Sequence, residues 1–123
     1  METLMDAAHV FLRKAREELE EGLSTSDQVK IRDAAEKAWN AVVQAIDHLM
    51  QAHGRVPLPG RDAHRARRDF LEEIGHAELA VKYTYFAERL HGDVFYSGAV
   101  LPAQRVRQYL DEIKDFLERA SAA

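Results

Sequence analysis

Four residues with chemistry to offer lie close together in ERLHGDVFYSG, Glu88 to Gly98. Arg89 can bind a phosphate, and His91 can donate a hydrogen bond and change charge near neutral pH. Asp93 adds a carboxylate, and Tyr96 can orient a ligand or stack on it. A helix that stops at His91-Gly92-Asp93, followed by a turn over Val94 to Gly98, would converge groups that a regular helix spreads around its cylinder. Arg89, His91, Asp93 and Tyr96 are therefore the candidate ligand-binding set. The plain alternative is a helix stop, with His91 against the dipole and Asp93 opening the turn.

Two other patterns bear on chemistry. Glu73-x-x-His76 and Glu88-x-x-His91 each place a carboxylate and an imidazole on one helix face, as in di-iron bundles. They stand 15 residues apart, about 22 Å along a continuous helix, so one metal pair cannot use both. A bridging carboxylate such as Glu36 would also have to turn inward. Surface pairing explains them without a metal, and no metal or other cofactor is expected. Arg55, Arg61, Arg65, Arg67 and Arg68 with His64 make a basic stretch whose only acid is Asp62. Such a patch suits phosphate or RNA. Alternatively, its arginines pair with Glu17, Glu18, Glu20 and Glu21 of the first helix or with a dimer mate. There is no Gly-rich phosphate loop, no Ser-His-Asp set and no zinc spacing.

These groups must be positioned by helices, because the apolar residues repeat with helical period throughout. From Ile31 to Met50 one row runs Ile31, Ala35, Ala38, Val42, Ala45 and Leu49, and a second runs Trp39, Val43, Ile46 and Met50. The two rows predict a wide buried face on the central helix, with alanines that admit close neighbours. A first helix over Leu4 to Glu21 has Thr3 as N-cap and Gly22 as terminator. Ser26 caps the second helix, which ends near His53-Gly54. Pro57 and Pro59 forbid helix in Arg55 to Gly60. A weaker helix spans Asp62 to Ile74 and is interrupted at Gly75. A fourth runs from His76 to Leu90, and a fifth starts at Pro102 as its N1 residue. The reading is all-α: an antiparallel up-and-down bundle of four long helices and one short one, a single domain over residues 1–123.

Composition narrows the classes. A net charge of -4 gives no global pull toward nucleic acid. With no cysteine, disulfides, thiolate metal sites and a cysteine nucleophile are excluded. No apolar run is long enough for a membrane span, and METLMDAAH has neither the basic region nor the apolar core of a signal peptide. A soluble cytoplasmic protein that does not engage membranes is expected. The aromatics Trp39, Tyr83, Tyr85, Phe95 and Tyr96 exceed what a small core needs, which predicts a homodimer.

AEKAWNAVVQAI, Ala35 to Ile46, taken with ERLHGDVFYSG and its following amphipathic helix, resembles the HEPN superfamily, and most of all its archaeal PaREP-type branch. The resemblance covers most of the chain. It implies a small up-and-down bundle, often a homodimer, frequently encoded beside a minimal nucleotidyltransferase. Some members are toxins that cleave RNA through Arg-x4-6-His, often followed by tyrosine. Here one residue separates Arg89 from His91, and no arginine in the chain has a histidine at the family spacing. The expected function is a non-catalytic module that dimerises and binds a partner protein, nucleotide or RNA. The alternative is a ribonuclease toxin using Arg89 with His91 or Tyr96, and a third class is a metal-binding bundle.

Overall fold

A computed structural model describes residues 2–56, 60 and 62–123. It contains α1 (Leu4–Thr25), α2 (Gln28–Ala52), α3 (Asp62–Glu73), α4 (Ala77–Phe86), a π-helix (Ala87–Tyr96) and α5 (Ala103–Ala122), with no strand among the described residues. Pro57, Leu58, Pro59 and Arg61 lie outside the described residues, so the expected loop there and one arginine of the basic stretch do too.

The central position of α2 follows from its two rows. Ala34, Ala35, Ala38, Ala41, Val42, Ala45 and Ile46 are fully buried, and Trp39 is 3% exposed. Side chains this small cover little surface each, but they let neighbours approach closely, and α2 meets every other helix. Two residues join α1 to α2, and the two pack along each other, which forces an antiparallel hairpin. At its tight end a Cβ on Gly22 would lie 3.0 Å from Lys30 Cβ and 3.1 Å from Ile31 Cγ1.

Gly22 therefore does not terminate α1 as its sequence suggests; it is a buried contact inside the helix. The turn comes later. Ser26 adopts the left-handed conformation, φ 53°, and the Asp27 N–H reaches back to the Gly22 carbonyl at 2.8 Å. Asp27, not Ser26, then caps α2, its carboxylate accepting from the Val29 and Lys30 amides at 3.0 and 3.2 Å. Thr3 does cap α1, reciprocally with Asp6. Gly75, φ 86°, closes α3. Pro102 stands at the N-cap of α5, one place before N1.

The larger departure lies after Phe86. The expected stop at His91-Gly92-Asp93 and turn at Val94 do not occur. The chain widens into i→i−5 hydrogen bonding and stays helical to Tyr96; the Ser97 N–H returns to the Gly92 carbonyl at 3.0 Å. Leu90 and Val94 fill the core at 0% and 1% exposure. Of the five aromatics counted as surplus, Trp39 and Tyr83 are core residues, Tyr85 and Phe95 are half-buried, and only Tyr96, 68% exposed, stands out in solvent. No helix of the described residues is long and apolar enough to cross a membrane.

Candidate functional site

The π-helix carries His91 onto α2. The imidazole Nδ1–H donates to Glu36 Oε2 at 2.7 Å. The ring lies 6.0 Å from the Trp39 ring, is stacked at 6.1 Å on Phe95, and meets the Tyr96 ring edge-on at 4.9 Å. Glu36, considered only as a metal bridge from sequence, has turned inward to orient this imidazole. Because Nδ1 is committed to the carboxylate, Nε2 is the nitrogen that His91 can offer outward.

A second imidazole sits on the same indole. His64, on α3, lies 5.7 Å from the Trp39 ring. Its Nδ1 is 2.6 Å from the Tyr83 hydroxyl and 3.4 Å from Arg67 Nη1. A guanidinium can only donate, so this Nδ1 is an acceptor: the Tyr83 O–H donates to it, while the Tyr83 oxygen accepts from Arg67 Nη1 at 3.0 Å. His64 is thereby a neutral imidazole whose proton is on Nε2. Burial lowers its pKa from the ordinary 6.5, and the charges of Arg67, His91 and Arg68 push the same way. Burial raises that of the Tyr83 phenol. Arg67 is 8% exposed and pairs with Asp47 through two N–H donors at 2.8 and 3.2 Å. One network thus joins α2, α3 and α4, and it leaves the two imidazoles with opposite proton bookkeeping. His64 presents a fixed N–H donor. His91 presents a nitrogen that accepts when neutral and donates when protonated. Neither Nε2 is bonded to a described residue.

A pH dependence follows. The folded state favours neutral His64, so its contribution is fully present above the unfolded value near 6.5 and is lost as pH falls through the lower folded value. Protonation would turn Nδ1 into a donor facing Arg67. Thermal stability is expected to decline on acidification below neutrality, with a shallower slope in His64→Gln. Equal slopes for the two proteins in melts across that range would show that His64 is not the group responsible.

The other expected residues are distributed differently. Arg89 does not join His91: its Nη1 pairs with Asp93 at 3.2 Å on the surface, and its guanidinium lies 5.9 Å over the Tyr85 ring. The basic stretch is largely neutralised within its own neighbourhood. Arg55 pairs with Glu73 at 2.7 Å, Arg65 with Asp69 at 3.8 Å, and Arg67 with Asp47. Three of the four α1 acids expected as their partners are used elsewhere: Glu18 by Lys37, Glu21 by Lys30 and Glu20 by Arg107. Arg68 lines a shallow groove with Glu72, Ala80, Val81 and Thr84. The two Glu-x-x-His pairs are also split, with Glu73 on Arg55 and His76 on Glu78 at 3.1 Å. No group of three or more potential metal ligands forms among the described residues.

Sequence reading missed Arg32, Asp47 and the His64–Tyr83 pair as partners. One signal was present: Arg32, Glu36 and Trp39 stand at i, i+4 and i+7, and His64 and Arg67 at i, i+3, each set on one helix face.

Compared with known proteins, the chain matches the family model described as "Archaeal PaREP1/PaREP8 family" over residues 4–117. No curated protein and no solved structure matches it.

Proposed function

We propose, for a chain that belongs to the archaeal PaREP1/PaREP8 family, that it is a single-domain, HEPN-like helical module of the cytoplasm. In this reading it forms a homodimer and does not cleave RNA. It holds a nucleotide, or the end of an RNA, where the π-helix crosses α2. A minimal nucleotidyltransferase is the partner protein that fits such a module.

The observation that carries the non-catalytic reading is the divergence of Arg89 and His91. Cleavage of a phosphodiester needs a group that takes the 2′-hydroxyl proton and a cation on the same phosphate. Arg89 is held outward by Asp93, and His91 is held inward by Glu36. Arg67, the arginine beside His64, is committed to Asp47. Binding needs less. Tyr96 offers an exposed ring on which a base can stack, and its edge rests on His91. The two imidazoles on Trp39 offer hydrogen bonds to phosphate or base oxygens.

Isothermal titration with adenosine nucleotides and short RNA tests this. Binding to wild type is expected, with about tenfold loss in Tyr96→Ala, where a stacked base contributes roughly 1–3 kcal/mol. His91→Ala should weaken binding similarly, and Arg89→Ala less. The RNA should be recovered intact. Identical behaviour of wild type and all three variants, or no binding by any, would make this surface purely structural. Light scattering should return twice the 14.0 kDa chain mass.

One observation favours the ribonuclease reading instead. A carboxylate on His91 Nδ1 orients the imidazole as a general base. In that reading His91 takes the proton, Tyr96 positions the substrate, and Arg89 leaves Asp93 to meet the phosphate. Growth arrest on expression, relieved by both His91→Ala and Arg89→Ala, would select it.

A further inference from the structure

The π-helix leaves its last carbonyls facing away from any regular continuation, and a helix end needs partners for them. One side chain supplies them. Arg32 of α2 donates Nε–H to the Phe95 carbonyl at 2.8 Å and Nη2–H to the same oxygen at 2.5 Å, with a longer contact to the Tyr96 carbonyl at 3.3 Å. The exit of the chain is shaped around this guanidinium. The Ala99 N–H returns to the Asp93 carbonyl at 2.9 Å. Gly98 adopts φ 65°, and a Cβ there would stand 3.6 Å from Arg32 Cζ.

Arg32 is one turn before Glu36, and Trp39 follows three residues later on the same stripe. α2 therefore grips the π-helix at successive points: its terminal carbonyls, the His91 Nδ1 and the His91 ring face. The i→i−5 register matters to that grip. Relaxation to the ordinary i→i−4 register would rotate His91 about the helix axis relative to Leu90 and Val94, which are anchored in the core.

We propose that Arg32 is a positioning residue for His91: by capping the Phe95 and Tyr96 carbonyls it holds the π-helix in the register that aims His91 Nδ1 at Glu36. The proposal rests on reading this surface as the ligand site, but its test needs no ligand. Neutral His91 held by Glu36 carries its proton on Nδ1, whereas an unrestrained imidazole exchanges between both tautomers. Long-range proton–nitrogen spectra of the histidine rings, taken in alkaline buffer, read this directly.

In Arg32→Ala the Nδ1–H signature of His91 is lost, and the Ser97 and Ala99 amides exchange about tenfold faster. Arg32→Lys, which keeps a cationic donor group without the planar fork, restores part of both signals. Val106→Ala, which removes a side chain 2% exposed on α5, lowers stability without changing either. Retention of the Nδ1–H signature in Arg32→Ala overturns the proposal, as does its loss in Val106→Ala. Should Arg32→Ala fail to fold, Arg32→Lys decides alone: an unaltered signature and unaltered exchange overturn the proposal. Loss of the signature in a protein whose wild type binds no nucleotide would retire the ligand reading and leave the positioning role of Arg32 standing.

Discussion

Replacing Arg67 with alanine is expected to cost about 3–5 kcal/mol, a large share of the roughly 5–15 kcal/mol that holds a domain folded. Removing one partner of a buried ion pair leaves the other charged and desolvated. The Asp47 side chain is 15% exposed and would lose both of its guanidinium donors. The Tyr83 oxygen, in a residue with no exposed surface, would lose the Arg67 donor as well. α3 would suffer most, since this pair and its extension to Tyr83 tie α3 to both α2 and α4. Urea denaturation measures the loss, and amide exchange should show α3 opening first. The double variant Arg67→Met, Asp47→Leu should regain much of the stability, because apolar residues of similar bulk remove both charges together. A loss below about 1 kcal/mol in Arg67→Ala would mean that the network does not hold α3.

Trp39→Ala is expected to cost a comparable 3–5 kcal/mol through the cavity it leaves. The indole is 3% exposed and packs 5.0 Å from the Tyr83 ring, with the imidazoles of His64 and His91 on it as well. Loss of this one side chain therefore removes core volume and the common support of both histidines. The variant should melt well below wild type and, if the proposed ligand site is right, show no nucleotide binding even at temperatures where it remains folded. Trp39→Phe, which keeps an aromatic surface, should retain more of each property. Because Trp39 is the sole tryptophan, its emission reports the same environment in wild type and should shift red on unfolding. A Trp39→Ala melt within a few degrees of wild type would sink this account.

Helical periodicity determined most of the architecture because burial of a helix face is written in residues three and four apart. The double row from Ile31 to Met50 identified α2 as the central helix, and Ala38, Val42 and Ile46 are fully buried there. Thr3 and Gly75 marked ends for equally local reasons, an acceptor for exposed amides and a positive φ. Gly22 misled because a glycine near a helix end reads as a terminator, whereas here it makes room for Lys30 and Ile31 across the hairpin. The same limit governed the functional surface. Arg89, His91, Asp93 and Tyr96 were recognisable by type, but their directions were not. Local sequence at His91-Gly92-Asp93 favours a stop, yet the chain stays helical, with Leu90 and Val94 buried in the core and Arg32, 63 residues before Phe95, donating to its carbonyl. His91 turns onto α2, where Glu36, 55 residues away, accepts a hydrogen bond from its Nδ1–H. The i, i+3 spacing of His64 and Arg67 showed that they share a face of α3, but not that this face meets Trp39, Asp47 and Tyr83. Which faces of the helices are buried could be read from residue order, since that depends on short-range repeats. Which polar groups meet came from the folded arrangement, since each of those pairings is a contact between segments far apart in the chain.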